Sequence, residues 1–455
     1  MDKKPRKKRA KPAAAAAVVV PTETLVGACK NGHADAAIEL IRRGVNPNTP
    51  DGDGELPLLV AAVANLDGVV EALLNAGADK DRRNPLGCTA LHGAVHCGSR
   101  AIAERLLRAG ADKDAKSNDN RTPLYLACVL GHEEVADILL RAGADKEARH
   151  SSGMTALAAA AETGHRGVAE LLLKARADED AVDANGWTPL MRSCNRGHRD
   201  IAELLLRRGA DPSIRNDNKL TALSMAAAGN HADIVELLIR SGADKEATEA
   251  DEHYENVTQL YLACRDGRTA VAKALIRAGA DVEAGTRAYT PLLIASKGGH
   301  TEIVENLVTA GAKTEMLSGQ NKGKCSSLLL AAKAGHVDTV KVLLKKVKRS
   351  QLLCTLSYPN LQKWTPLTIA VSHDDNEIAT ALAMAGAKFA EAPVSFVADA
   401  LLRRDLLRYT SAWLFMLSTI RPELPTHVLR GFPHIVRFIV KCSLPHWMVF
   451  CANNE

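Results

Sequence analysis

A leucine that recurs at a fixed interval constrains this chain more than any other feature. Leu25, Leu58, Leu91, Leu124, Leu157, Leu190 and Leu223 each stand 33 residues after the one before. The series continues through Leu260, Leu292, Leu328 and Leu367 with spacings of 37, 32, 36 and 39, so the later copies carry insertions. A period of this size marks a repeat array, in which each copy is one supersecondary unit that buries its apolar face only against its neighbours. Eleven anchors imply about eleven units.

Two further columns define the unit. Seven residues after the anchor stand Gly32, Asn65, Gly98, Gly131, Gly164, Gly197, Asn230, Gly267, Gly299, Gly335 and Asp374. Only residues that tolerate a left-handed backbone occur there, so a short helix ends and the chain reverses into a second one. Nineteen residues after the anchor a second glycine recurs, from Gly44 to Gly386, with Arg176 and Val347 as the exceptions. It reads as the end of the second helix. Between these signals, residues such as Ile201, Ala202, Leu204 and Leu205 follow the i, i+3, i+4 spacing of one helical face. The pattern predicts an all-α solenoid of helix–turn–helix units.

Within this frame the residues form a familiar succession: Thr-Pro-Leu, then Gly-His, then Leu-Leu, then Ala-Gly-Ala-Asp. The segment 121–147, RTPLYLACVLGHEEVADILLRAGADKE, shows it whole. It resembles the ankyrin repeat, and the match covers roughly residues 22–388. The His that commonly follows Thr-Pro-Leu survives only as His92, so its hydrogen bonds must be replaced or absent elsewhere. The resemblance implies a scaffold or adaptor that binds a protein partner on a concave face of turn tips and first helices. In the family the variable contact positions lie just before the anchor and five and six residues after it. Carried over here, these include Asn118, Arg121, Leu130, Met154, Trp187, Asn195, Arg196, Arg265, Tyr289 and Lys297. Trp187, Tyr289 and Trp364 share one column, where an aromatic serves either as a partner anchor or as local packing.

The flanks differ from the array. Residues 1–20 form a basic, Ala-rich tail expected to be disordered. Its Lys3, Lys4, Arg6, Lys7, Lys8, Arg9 and Lys11 look like a nuclear import signal, or else form a solvated tail that contacts any polyanion. The tail, with a net of +6 over residues 1–12, accounts for the chain's net charge of +5, so the remainder of the chain, which holds the array of residues 21–388, is close to neutral. Residues 313–349 are a second basic zone, either a solvated face or a site for an acidic partner or phosphate. Part of it, Met316–Lys324, is an insertion expected to project as a loop. All six Phe fall in the segment 389–455 with Trp413 and Trp447, which predicts a helical cap for the last repeat or a separate interaction segment. Leu424-Pro425 with Val428-Leu429 resembles the opening of an F-box, which gives a ubiquitin-ligase adaptor as an alternative function. A nucleus-associated protein that engages acidic chromatin partners or nucleic acid through its basic segments is another.

Catalytic chemistry is not suggested. There is no phosphate loop, no Gly-x-Ser-x-Gly elbow, and no carboxylate pair outside the repeat pattern. Six His follow the turn glycine, but one per repeat is too sparse for a shared metal, and they are expected to hydrogen-bond within the turn. His92 and His96, with Cys97 beside them, lack a third fixed ligand. No cofactor or metal is expected. The ten Cys contain no CxxC pair, and Cys29, Cys128, Cys194 and Cys264 share one column that calls for a small buried residue. Reduced thiols and the lack of an apolar run long enough to span a bilayer point to an intracellular protein of cytoplasm or nucleus.

Overall fold

The computed structural model describes residues 23–249, 256–286, 288–314, 325–346, 365–373 and 375–387. The basic tail, the insertion Met316–Lys324, Val347, Trp364, Asp374 and the aromatic segment 389–455 lie outside them. The chain divides into two compact halves, residues 1–189 and 190–455. The first holds five helix pairs: Leu25–Lys30 with Ala34–Arg42, Pro57–Val63 with Asp67–Asn75, Ala90–His96 with Arg100–Arg108, Pro123–Leu130 with Glu133–Arg141, and Ala156–Thr163 with Arg166–Lys174. Among the described residues the second holds six. They are Pro189–Arg196 with Arg199–Arg208, Ala222–Ala228 with Ala232–Arg240, and Gln259–Asp266 with Thr269–Arg277, followed by Pro291–Gly298 with Thr301–Thr309, Ser327–Lys333 with Val337–Lys346, and Pro366–Ser372 with Asn376–Met384.

The anchor leucines explain why these short helices form. Leu91, Leu124 and Leu157 are fully buried, and so are their counterparts from Leu190 to Leu367 within a few per cent. Each buried leucine contributes about 1.5–3 kcal/mol, more than a helix of six to ten residues gains from its own turns. Most first helices start at a Thr or Ser, whereas Pro57–Val63 follows Leu56 and has no side-chain cap. The Thr122 hydroxyl accepts the Tyr125 N–H at 3.2 Å, and Thr24, Thr258 and Ser326 cap in the same way. Pro57, Pro123 and Pro291 occupy the first helical turn, where their missing N–H costs nothing.

The second helices end as the glycine column predicts. Gly44, Gly77, Gly110 and Gly143 all have positive φ, and Arg176 adopts the same conformation with φ 61°. The Arg176 N–H donates to the Leu173 carbonyl and the Ala177 N–H to the Leu172 carbonyl, just as Gly143 and Ala144 one repeat earlier donate to Leu140 and Leu139. The all-α pattern is interrupted once among the described residues. Thr248–Glu249 (β1) pairs antiparallel with Val257–Thr258 (β2), within the 37-residue spacing from Leu223 to Leu260. The helix pairs on either side of these strands are intact.

One expectation needs correction. The turn histidines bond between repeats, because the ring projects toward the preceding repeat and away from its own turn. Nε2–H of His165 donates to the Val129 carbonyl at 3.1 Å, that of His300 to Arg265 at 3.2 Å, and that of His336 to Lys297 at 3.1 Å. The ring then lies against the turn glycine of the preceding repeat. A Cβ on Gly131 would fall 2.5 Å from His165, one on Gly267 2.5 Å from His300, and one on Gly299 2.5 Å from His336. Glycine is therefore required for space as well as for its positive φ. Where Asn65 and Asn230 replace it, the following repeat carries Ser99 and Arg268 in place of His.

Candidate partner-binding surface

The turns that precede each first helix form fingers held by their own polar residues. Asn84 Oδ1 accepts the N–H groups of Leu86 and Cys88 at 3.1 and 2.9 Å. Asp183 does the same for Asn185 and Trp187 at 2.8 and 3.0 Å, and Asp51 for Asp53 and Glu55 at 3.1 and 2.8 Å. This column, seven before the anchor, was not singled out from the sequence, because Asp, Asn, Ser and His alternate in it and only the shared acceptor unites them. Adjacent fingers are linked in turn. In the first half Asn118 N–H donates to Leu86 O, Ser151 N–H to Asp119 O and Ala184 N–H to Ser152 O.

The acidic runs after the second helices also do more than shape turns and vary the surface charge. The Asp112 N–H donates to Asp81 Oδ1 at 2.7 Å and the Asp145 N–H to Asp114 Oδ1 at 2.8 Å. In the second half the Asp281 N–H donates to Glu246 Oε1 at 2.9 Å. Charge-assisted bonds of this kind fix each repeat on the last.

In the first half, fingers and first helices enclose a groove of about 660 Å³. Its floor is apolar: Leu59, Val60, Val63 and Leu126. Val63 is 41% exposed, an apolar side chain left facing solvent. Lys30, Asp53, Glu55 and Arg121 supply charge around it. The Lys30 ammonium donates to Asp51 at 2.6 Å, which raises the lysine pKa and lowers that of the carboxylate. Asn84 Nδ2 donates to both Glu55 oxygens, at 3.2 and 3.3 Å. Burial, then the Glu55 carboxylate, pushes the Cys88 thiol up. His92 sits below the rim with both ring nitrogens in use: Nδ1 accepts the Thr89 N–H at 3.2 Å, and Nε2–H donates to the Arg121 carbonyl at 2.9 Å. Burial lowers its pKa. His96 is exposed and Cys97 Sγ donates to the Ala62 carbonyl, so the three do not converge on a metal. No group of three His, Cys, Asp or Glu suited to a metal occurs among the described residues.

Of the residues carried over from the repeat pattern, Arg121 lines this groove. Asn118 is exposed, but its Nδ2 donates to the Pro85 carbonyl at 2.9 Å and so serves the finger. Met154 is half-buried and its sulfur accepts the Tyr125 hydroxyl at 3.6 Å. Tyr125 stands where His92 stands in the preceding repeat, and its ring stacks on His150 at 5.0 Å. Leu130 is 36% exposed and Trp187 is half-buried. Sequence reasoning missed Lys30, Val63, His96, Glu55 and Cys88, although they occupy the same columns as the residues it chose.

In the second half Arg196 is exposed and Asn195 half-buried. Tyr289 and Lys297 come together, the ammonium 5.2 Å from the ring centroid. Tyr289 also packs on the buried cluster of Val257, Tyr261 and Leu262. Arg265 Nε donates to Asp266 Oδ1 at 2.7 Å, and Arg268 reaches the other oxygen at 3.0 Å.

The same repeat is legible in comparison with known families. A family model described as ankyrin repeats in three copies matches overlapping windows that run from residues 25–117 to residues 292–391. No curated protein matches the chain. Among the described residues no helix is long and apolar enough to cross a membrane. With the repeat matched over most of its length and its helix pairs, fingers and inter-repeat bonds in place, the chain belongs to the ankyrin-repeat family, whose repeats are protein–protein interaction modules.

Proposed function

We propose that this protein is a non-enzymatic scaffold that holds a protein partner on its fingers and first helices. The groove of the first half carries the reading: an apolar floor with exposed Val63, ringed by charged side chains on rigid elements. Such a site suits an apolar anchor with a polar surround. Arg121 is its proposed contact from the sequence, joined by Lys30 and Val63. Asn118, Leu130, Met154 and Trp187 extend the surface in that half, and Asn195, Arg196, Arg265, Tyr289 and Lys297 form its counterpart in the other. The nucleus-associated and ubiquitin-ligase readings depend chiefly on residues 1–20 and 389–455, outside the described residues, and no structural observation favours them.

Proximity labelling of the intact protein in its own cell supplies the partner, and a quantitative pull-down tests the surface. Lys30→Ala, Val63→Ala and Arg121→Ala together are expected to weaken capture by about 2 kcal/mol or more, as at an interface centre. The melting temperature should stay near that of the parent, since exposed substitutions change stability by about 0.5 kcal/mol or less. Glu134→Ala with Glu170→Ala, on second helices, should leave capture intact. Loss in the second variant with retention in the first overturns the proposal.

A further inference from the structure

In repeats eight, nine and ten, the position five residues after the anchor is occupied by Arg265, Lys297 and Lys333. The same position in the two preceding repeats holds Asn195 and Ala228, and in the first half it holds Lys30, Val63, His96, Val129 and Glu162. Three consecutive cations are therefore particular to this stretch. The first helices that carry them, Gln259–Asp266, Pro291–Gly298 and Ser327–Lys333, pack one on the next. The inter-repeat histidines hold the spacing, because His300 bonds the Arg265 carbonyl and His336 the Lys297 carbonyl.

Lys297 and Lys333 are exposed and have no carboxylate partner among the described residues. Asp266 is the one acidic residue on these three helices, and it is shared between Arg265 and Arg268. Two other cations of the region are engaged, Lys341 by Glu377 and Lys346 by Glu305 at 2.9 Å. A basic residue in the last turn of a helix is favoured by the helix dipole alone. That effect accounts for each cation singly and leaves the charges of Lys297 and Lys333 available to solvent.

We propose that Arg265, Lys297 and Lys333 form a cationic stripe that binds an extended acidic segment of a protein partner. The inference rests on the reading that fingers and first helices bind protein, and it names the chemistry of the partner for repeats eight to ten. Packed helices lie roughly 8–10 Å apart, so the stripe offers one cation per step of that length. A polyproline II strand rises about 3.1 Å per residue with three residues per turn, which brings every third side chain to one side at the same step. Aspartate or glutamate at every third residue matches the stripe. Nucleic acid fits it less well, because single-strand binding relies on open aromatic faces. Tyr289, beside the stripe, is covered by Lys297 and packed on Val257, Tyr261 and Leu262.

The test uses the full chain and a fluorescent peptide of repeated Glu-Pro-Pro triplets. The variant Arg265→Gln, Lys297→Gln, Lys333→Gln is compared with Arg207→Gln, Arg240→Gln, Arg277→Gln, which removes as many cations from second helices. The basic tail is common to all three proteins, so the ratio of affinities reads the stripe. Loss of about tenfold in the stripe variant, the combined effect of three exposed charge pairs, is the expected result. The control should bind within about twofold of the parent, and circular dichroism melting should be unchanged in both. Equal loss in both variants, or no loss in either, overturns the proposal. A single-stranded oligonucleotide that displaces the peptide more tightly than unlabelled peptide does, and that itself depends on the stripe, also overturns it in favour of nucleic acid. If the stripe variant binds normally while the Lys30, Val63, Arg121 variant has lost its partner, the stripe fails and the scaffold reading stands.

Discussion

Arg176 stands where nine repeats have glycine, and its left-handed backbone places a Cβ against the following carbonyl. Arg176→Gly removes that clash but loosens the unfolded chain. The net gain is expected to be up to about 1 kcal/mol, read as a higher urea midpoint in the full chain. A lower midpoint would show that the arginine side chain makes contacts worth more than the strain. His92 makes a pH-dependent contribution. Its pKa is lowered from 6.5 by burial, so between that value and the folded pKa the unfolded chain binds more protons. Stability present above pH 6.5 is therefore lost as pH falls through the folded pKa. Unfolding of His92→Gln, measured over the same range, should show a shallower fall than the parent; an identical slope would remove His92 as a source. Spacing singled out Arg176 as a gap in a glycine column, but only the structure gives its left-handed backbone. The partners of His92 were not legible, since the Arg121 carbonyl lies a repeat away in sequence.

At the scale of the element, the glycine turn and the histidine after it belong to different repeats. The glycine receives the ring from the next repeat, and the next repeat needs a carbonyl from this one. Gly131→Ala must strain φ and meet His165, whereas Gly32→Ala strains φ with nothing within 4 Å. Gly131→Ala should therefore cost more. Adding His165→Ala to Gly131→Ala should recover part of the difference, giving a coupling energy of about 0.5–3 kcal/mol in a double-mutant cycle. Additive costs would mean that the ring moves aside freely. The reverse exchange is available where the pair is missing: Asn65→Gly with Ser99→His should stabilise more than the sum of the two changes. Both columns were visible as recurrences in the sequence. Their joint departure at Asn65 with Ser99 and at Asn230 with Arg268 was visible as well, but only geometry shows that the two departures answer one contact.

Within each half of the molecule, repeats are held by their neighbours through buried leucines, acid-to-amide bonds and histidine rungs, so damage should stay local. Leu328→Ala, at a fully buried anchor, is expected to cost about 2–5 kcal/mol. Hydrogen exchange should rise in repeats nine to eleven and remain unchanged around Leu91. A uniform rise would mean that the described repeats unfold as one unit. Fold class, repeat number and the turn positions could all be read from the chain, because a period fixes them many times over. The contact surface could be read only as columns, since exposure of Val63 and engagement of Asn118 depend on neighbours that differ at each step. The cysteine column turns this local character into something observable. Burial pushes the thiols of Cys29 and Cys194 up to about 11 and about 12, and those of Cys128 and Cys264 are raised by burial too. Each is protonated and enclosed until its own repeat opens. An alkylating reagent would thus strike each thiol at the rate of a separate opening event, and the labelled peptides would time the breathing of repeats one, four, six and eight with clocks that the chain already contains.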